Sequence, residues 1–144
     1  MEIDRAPQRV TALPSWLLAQ AAAATGRVVT DALRGVGAHR SHYSVLAALD
    51  ERGPLSQAAL SDTVGLDRGD MVRLLDTLEA DGLVLREPDP DDRRRNRIAA
   101  TRAGRDRLEA LDTVIADAQA DATTTLSAAE RDDLVRLLRA LLGA

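Results

Sequence analysis

The chain has 144 residues, and 45% of them are hydrophobic, which suffices for a single globular domain with its own core. It contains no cysteine, so disulfides, thiolate metal sites and thiol-based redox sensing are excluded. Its 19 basic residues are all arginine and are outnumbered by 23 acidic residues, which gives a formal net charge of -4. Because phosphate contacts dominate DNA affinity, such a chain can bind DNA only through a local basic surface.

The few aromatic residues and the short apolar runs argue against a single-stranded nucleic-acid-binding protein and a membrane protein. Trp16 and Tyr43 are the whole set of Phe, Trp and Tyr, whereas single-stranded nucleic acid is usually held by several exposed rings. The stretch from Met1 to Arg5 lacks the basic and apolar regions of a signal peptide, and proline or charge interrupts each later apolar run before it reaches membrane-spanning length. We therefore expect a cytoplasmic protein that does not contact membranes.

The first half of the chain is predicted to be helical. Residues 14–33 are rich in alanine, leucine and valine, begin with a proline that a first helical turn tolerates, and are followed by Gly35. Residues 41–51 place apolar side chains on one helical stripe, which Gly53 and Pro54 end.

Two shorter helices joined by a tight turn follow. Ser56 is a candidate N-cap for a helix that runs to Val64, Gly65 supplies the turn, and Asp67 caps the next helix, which ends near Gly82. The apolar positions of this second helix recur at three- and four-residue spacing and are Met71, Leu74, Leu75 and Leu78.

A polar hairpin is expected after this pair of helices. Residues 83–86 and 97–100 are predicted to be strands. Between them, residues 87–96 carry two prolines and a block of arginines, which favours an exposed loop over a core segment.

Two helices close the sequence. Thr101 caps the first, and Ser127 with Glu130 forms a capping box that opens the second. Their apolar stripes consist of Leu108, Leu111, Ile115 and Ala118, and of Leu134, Leu137, Leu138, Leu141 and Leu142. Apolar faces without a local partner indicate a dimer interface, although these helices could instead fold back on the core of their own subunit.

The order of these elements fits duplex DNA. In a helix-turn-helix followed by an arginine-rich hairpin, the second helix can enter the major groove while the hairpin reaches the backbone or minor groove. Residues 53–104 resemble the winged helix of the MarR family of bacterial regulators. The stretches that carry this resemblance are Pro54 to Ser61 with Val64-Gly65-Leu66, Met71 to Val84, and Asp89 to Arg95 followed by Ile98, Thr101 and Gly104.

The resemblance implies a fold, a domain organisation and a function. We expect a mainly α (α+β) fold in which one MarR-type domain spans residues 1–144, with a winged helix-turn-helix at 38–104 and dimerisation helices at 13–37 and 105–144. The implied protein is a homodimeric regulator, a ligand-responsive repressor on a palindromic operator. The sequence departs from the family pattern at Ser61, where alanine is usual, and at Ala100, where leucine is usual.

The hairpin supplies the first group of candidate DNA-binding residues. Arg94 is expected to enter a narrow minor groove, and Asp92, two residues earlier, can hold its guanidinium in position. Arg93, Arg95 and Arg97 are expected at phosphates. The alternative for each of them is a solvated surface charge.

The helix that begins after Asp67 supplies the second group. Once its apolar positions are set aside, the residues available to the groove are Arg68, Gly69, Val72, Arg73 and Thr77. Asp70 stands where phosphate would repel it and the family tends to place a small hydroxyl; it either serves the helix N-terminus, which we favour, or accepts from a cytosine amino group.

An effector pocket is implied by the resemblance, between the dimer helices and the winged helix. Trp16, His39, His42 and Tyr43 are candidates by position, with a small aromatic or phenolic effector as the expected ligand. Trp16 and Tyr43 are more often core residues at such positions, and two histidines without a third ligand are weak evidence for metal. No metal or cofactor is expected.

The sequence also bears on two other function classes, a protein-binding module and an enzyme. A winged helix that binds protein rather than DNA is favoured by the acidic balance, and it predicts no salt-dependent DNA binding. An enzyme is disfavoured, because the sequence has no glycine-rich phosphate loop, no histidine-carboxylate metal motif and no cysteine nucleophile.

Overall fold

The computed structural model of the protein describes residues 3–144. The prediction that the chain lacks a signal peptide rests on Met1 to Arg5, and Met1 and Glu2 of this stretch lie outside the described residues. The elements, in chain order, are a 3-10 turn at Ile3–Arg5, α1 (Gln8–Thr11), α2 (Pro14–Gly35), α3 (Arg40–Arg52), β1 (Leu55–Ser56), α4 (Gln57–Val64), α5 (Arg68–Ala80), β2 (Val84–Pro88), β3 (Asn96–Ala100), α6 (Arg102–Ala122) and α7 (Ala128–Leu142). Within this part of the chain, no helix is both long and apolar enough to cross a bilayer.

The three strands form one antiparallel sheet with β3 in the centre. Leu55 of β1 pairs with Ile98, and Pro88 of β2 pairs with Asn96. β1 was not predicted, because a strand of two residues is too short to show an alternating pattern. The β2–β3 ladder also extends into the span predicted as loop, so the hairpin loop is shorter than expected and comprises residues 89–95.

The described residues divide into two compact units. One contains the chain up to Ala32 together with residues 115–144, and the other contains residues 33–114. The second unit holds most of the buried side chains, including Leu33, Val45, Leu46, Leu60, Met71, Leu75, Leu78, Val84, Ile98 and Leu111. In the first unit only Val29 and Ala118 are buried apolar residues among those described, so its helices keep much of their apolar surface exposed.

Local capping explains where the helices of the second unit begin. Ser56 accepts a hydrogen bond from Ala59 N at 3.1 Å and starts α4, and Gly65 ends it in the left-handed conformation (φ 70°) that favours glycine. Asp67 then accepts a bond from Asp70 N at 2.9 Å and starts α5. The predicted helix-turn-helix is therefore present, with the predicted caps.

Thr101 joins the start of α6 to the end of the helix-turn-helix. Its hydroxyl donates to the Gly82 carbonyl at 2.6 Å and accepts from Gly104 N at 3.0 Å. Its own N–H donates to the Leu83 carbonyl at 3.0 Å. These contacts fix the first turn of α6 against the residues that lead into β2.

Candidate nucleic-acid interface

The helix α5 has one buried and one exposed face. Met71, Leu74, Leu75 and Leu78 are buried. All five residues that were predicted to face a groove, Arg68, Gly69, Val72, Arg73 and Thr77, are exposed. The core therefore anchors the helix by one stripe and leaves the opposite side free to enter a groove.

Each acidic side chain on the exposed part of α5 pairs with an arginine. Arg73 donates to Asp70, while Arg86 of β2 donates to Asp76 at 2.7 Å and also to Glu79. These pairs offset the negative charge that would otherwise repel phosphate. Within residues 3–144, Arg68 has no ion-pair partner, so its charge stays uncompensated.

Arg86 was missed by the sequence analysis. Its backbone N–H donates to Glu79 Oε1 at 3.2 Å, and its side chain is only 21% exposed. Burial by itself would lower the pKa of Arg86, but its hydrogen bonds to Asp76 and Glu79 outweigh that effect and raise it. The charged guanidinium thus links β2 of the hairpin to α5.

Asp92 holds two of the hairpin arginines, Arg94 and Arg95. Oδ1 of Asp92 accepts from the backbone N–H of Arg94 at 3.0 Å and from Arg94 Nε at 3.2 Å, and Oδ2 lies 3.6 Å from Arg95 Nε. The first two bonds and the charge of Arg95 hold the pKa of Asp92 below its ordinary value. Arg94 is nevertheless 92% exposed, so the predicted contact with Asp92 orients the side chain without covering it.

The other hairpin arginines differ in availability. Arg97 Nε donates to Glu87 Oε1 at 2.6 Å, between residues paired across β2 and β3, and both side chains are about two-thirds buried. Arg93 is exposed and has no ion-pair partner among the described residues. Arg93 and Arg94 therefore offer more of their charge to a ligand than Arg97 does.

Comparisons with known proteins agree with this geometry. A model of the MarR family matches residues 36–95, which contain the helix-turn-helix and most of the hairpin. A proposed transcriptional regulatory protein for the hcr operon of Thauera aromatica is 33% identical over 99 residues. The chain belongs to the MarR family. The match covers 69% of this chain and 60% of that curated relative.

Solved structures of other proteins share the fold of this MarR-family chain. The transcriptional repressor CouR bound to a 23-mer DNA duplex is 27% identical, with a TM-score of 0.82 over 94% of this chain and 96% of that one. CouR from Rhodococcus jostii RHA1 bound to p-coumaroyl-CoA is 29% identical, with a TM-score of 0.75 over 94% and 95%. The predicted fold class, a mainly α (α+β) fold built on a winged helix-turn-helix with N- and C-terminal helices, is confirmed.

The candidate effector residues of this MarR-family chain occupy both units. His39 is the N-cap of α3: its Nδ1 accepts from Ser41 N at 3.3 Å and lies 2.8 Å from Ser41 Oγ. The ring of His42 lies 6.3 Å from that of His39, in an edge-to-face arrangement. The Tyr43 hydroxyl donates to Asp112 at 2.9 Å.

Two of these side chains have shifted pKa values. Burial and then the charges of His39 and Arg107 lower the pKa of His42, against a smaller opposing effect of Asp81. The bond to Asp112, followed by burial, raises the pKa of Tyr43. Both side chains are therefore uncharged at neutral pH and suit a ligand with apolar or hydrogen-bonding groups.

Trp16 belongs to the first unit and is half-buried on α2. Two open cavities, of about 490 and 500 Å³, are lined by described residues of that unit. Trp16 lines neither of them. Among residues 3–144, no group of three or more histidine, aspartate or glutamate side chains is placed to hold a metal ion.

Proposed function

We propose that the protein is a transcriptional regulator that binds duplex DNA sequence-specifically as a homodimer and acts as a ligand-responsive repressor. The observation that carries this proposal is the exposed face of α5 together with the arginine hairpin, both within residues 33–114. The helix supplies groups for base edges, and the hairpin supplies Arg93 and Arg94 for phosphates or a minor groove. DNA binding by the relative CouR supports the same assignment.

The chain divides into a DNA-binding region and a dimerisation region. Residues 38–104 form the DNA-binding region, and residues 13–37 and 105–144 form the dimerisation region. α7 supports this division, because none of its residues is buried within the chain. Its exposed apolar residues are Leu134, Val135, Leu137, Leu141 and Leu142. Such a stripe is stabilised when it is removed from water, and a second copy of the same chain offers a matching face.

A two-fold dimer sets the form of the operator. It presents two α5 helices to half-sites about 34–36 Å apart, so the operator is a palindrome. Occupancy of such a site blocks a promoter, which gives repression. The protein then works in the cytoplasm and, as a regulator, is not an enzyme and needs no cofactor.

The effector is proposed to be a small aromatic or phenolic compound. Trp16, His39, His42 and Tyr43 are the candidate contacts, and the hydrogen-bonding groups of the last three suit a phenol. CouR, whose structure contains p-coumaroyl-CoA, is a relative with a phenolic ligand. A coupling of about 1–3 kcal/mol between effector and DNA suffices to change DNA affinity 5- to 150-fold.

Selection from a library of random duplexes tests the proposal. We expect the purified protein to enrich a palindrome, and light scattering to give the mass of a dimer. Leu137→Glu on α7 is expected to reduce that mass to a monomer. Leu85→Glu on β2, the same change at an exposed leucine outside the dimerisation region, is the control that keeps the dimer. Failure to enrich any sequence would contradict the proposal. That result would favour the alternative, a winged helix that binds protein, for which the relatives give no support.

A further inference from the structure

The helix α5 carries an acidic residue, Asp70, on its exposed surface in its first turn. Asp70 is 50% exposed and Arg73, one turn later, is 75% exposed. The sequence favours a role for Asp70 at the helix N-terminus. Asp67 caps this helix, as predicted, and Asp70 is the acidic residue of its first turn. The carboxylate of Asp70 is also bound by Arg73 Nη2.

This bond restricts the guanidinium of Arg73. A free arginine loses rotamer entropy when it binds a base, and a neighbouring carboxylate reduces that loss by holding the side chain beforehand. The guanidinium has five N–H donors, so the bond to Asp70 leaves enough of them for a bidentate contact. Arg73 can therefore donate to a base while it stays bound to Asp70.

The surface around the pair leaves room for base edges. Gly69 has no side chain, and a Cβ built on it would touch only Asp67 Oδ1, at 3.3 Å. Val72 is exposed beside Arg73 and can meet a thymine methyl group. A base pair can thus approach the Asp70–Arg73 pair without displacing a bulky neighbour.

We propose that Asp70 and Arg73 act as one specificity-determining unit that selects a cytosine and a guanine in each half-site. Arg73 donates to N7 and O6 of guanine, and Asp70 accepts from a cytosine N4 amino group. A carboxylate repels the acceptors of guanine and thymine and the phosphates, so Asp70 lowers affinity for wrong sequences. This inference rests on the proposed function, because it places α5 in a major groove.

Asp70→Asn tests the unit, because asparagine has nearly the same shape but no charge and gains a donor. Operator selection and equilibrium binding are compared for wild type, Asp70→Asn, Arg73→Lys and the double variant. We expect Asp70→Asn to lose discrimination at one base position of each half-site, on the order of 5- to 150-fold, while its affinity for unrelated duplexes rises. The double variant is expected to show less loss than the product of the single effects, since the two residues act together.

Asp117→Asn, the same change of charge on α6, is the control and is expected to leave base preference unchanged. The inference is overturned if Asp70→Asn alters affinity equally for all sequences, or if the two single effects simply multiply. It is also overturned if wild type enriches no operator, but that result removes the proposed function itself. The two failures are therefore distinguishable in one experiment.

Discussion

Arg86 of β2 donates a hydrogen bond to Asp76 of α5, with a distance of 2.7 Å from Nη2 to Oδ1. The same guanidinium also bonds Glu79, one turn further along the helix. β2 and α5 are thereby held together by a charged, largely buried side chain. Any DNA contact that uses both elements depends on this link, because their spacing must match that of the grooves.

We expect Arg86→Gln to lower the free energy of unfolding by about 1–3 kcal/mol, because two carboxylates lose their charged donor. Binding to the selected operator should weaken as well. Urea denaturation and equilibrium binding measure the two effects. Arg136→Gln removes an exposed pair with Asp133 on α7 and is expected to cost less than about 0.5 kcal/mol. Equal losses in both variants would contradict a special role for Arg86.

Gly104 is expected to tolerate no side chain. A Cβ at this position would clash with the carbonyl oxygen of Leu83, so α6 or the start of β2 would have to move. Gly104→Ala should therefore destabilise the protein by about 3 kcal/mol or more in thermal or urea unfolding. Gly35→Ala is the control, since a Cβ there meets nothing within 4 Å. A mild effect at Gly104 would show that this close approach is absent in solution.

Ser61 is expected to reduce stability. Its hydroxyl is buried and has no hydrogen-bond partner within the described part of the chain. Ser61→Ala should raise the free energy of unfolding by about 1 kcal/mol, because it removes an unpaired polar group and suits a helix better.

A serine-to-alanine change at the start of α4 is expected to lower the free energy of unfolding, in contrast to Ser61→Ala within the same helix. Ser56→Ala removes the bond that Ala59 N donates to the cap, and should cost about 1 kcal/mol. Both values come from urea denaturation of the single variants. Destabilisation by Ser61→Ala would mean that the hydroxyl finds a partner, such as a bound water.

His42 is expected to make stability depend on pH in the weakly acidic range. Burial and the neighbouring charges lower its pKa in the folded state below the ordinary 6.5. The unfolded chain therefore binds the proton first, and stability falls as the pH drops from about 6.5 towards the folded pKa. Above this window His42 is neutral in both states and contributes no pH dependence. His42→Gln should flatten this part of the profile, and an unchanged slope in the variant would contradict the assignment.

Features that depend on nearby residues were predictable from the sequence. The caps at Ser56, Asp67 and Ser127 and the pair of Asp92 with Arg94 involve residues two or three positions apart, so residue type and spacing indicate them directly. The buried positions of α5 follow in the same way from the helical period.

Features that depend on distant residues were not predictable. Arg86 meets Asp76 across ten positions, and Tyr43 meets Asp112 across 69. β1 exists only because Leu55 and Ser56 pair with β3. Such contacts arise from tertiary packing, which a local pattern does not encode. The cap of α3 by His39 Nδ1 is different, because it is local, and the place of His39 directly before the helix could have suggested it.

Salt-dependent binding by wild type and Arg94→Ala is the most direct test of the claim that the hairpin and α5 hold duplex DNA. The selected palindrome is titrated at two salt concentrations. Arg9→Ala is the control, because it removes the same charge at an exposed site outside the DNA-binding and dimerisation regions. We expect wild-type affinity to fall as salt rises, and Arg94→Ala to bind more weakly with a salt slope smaller by about one. The control should match wild type. Duplex binding that ignores salt, or an Arg94→Ala variant that binds as wild type does, would contradict the account.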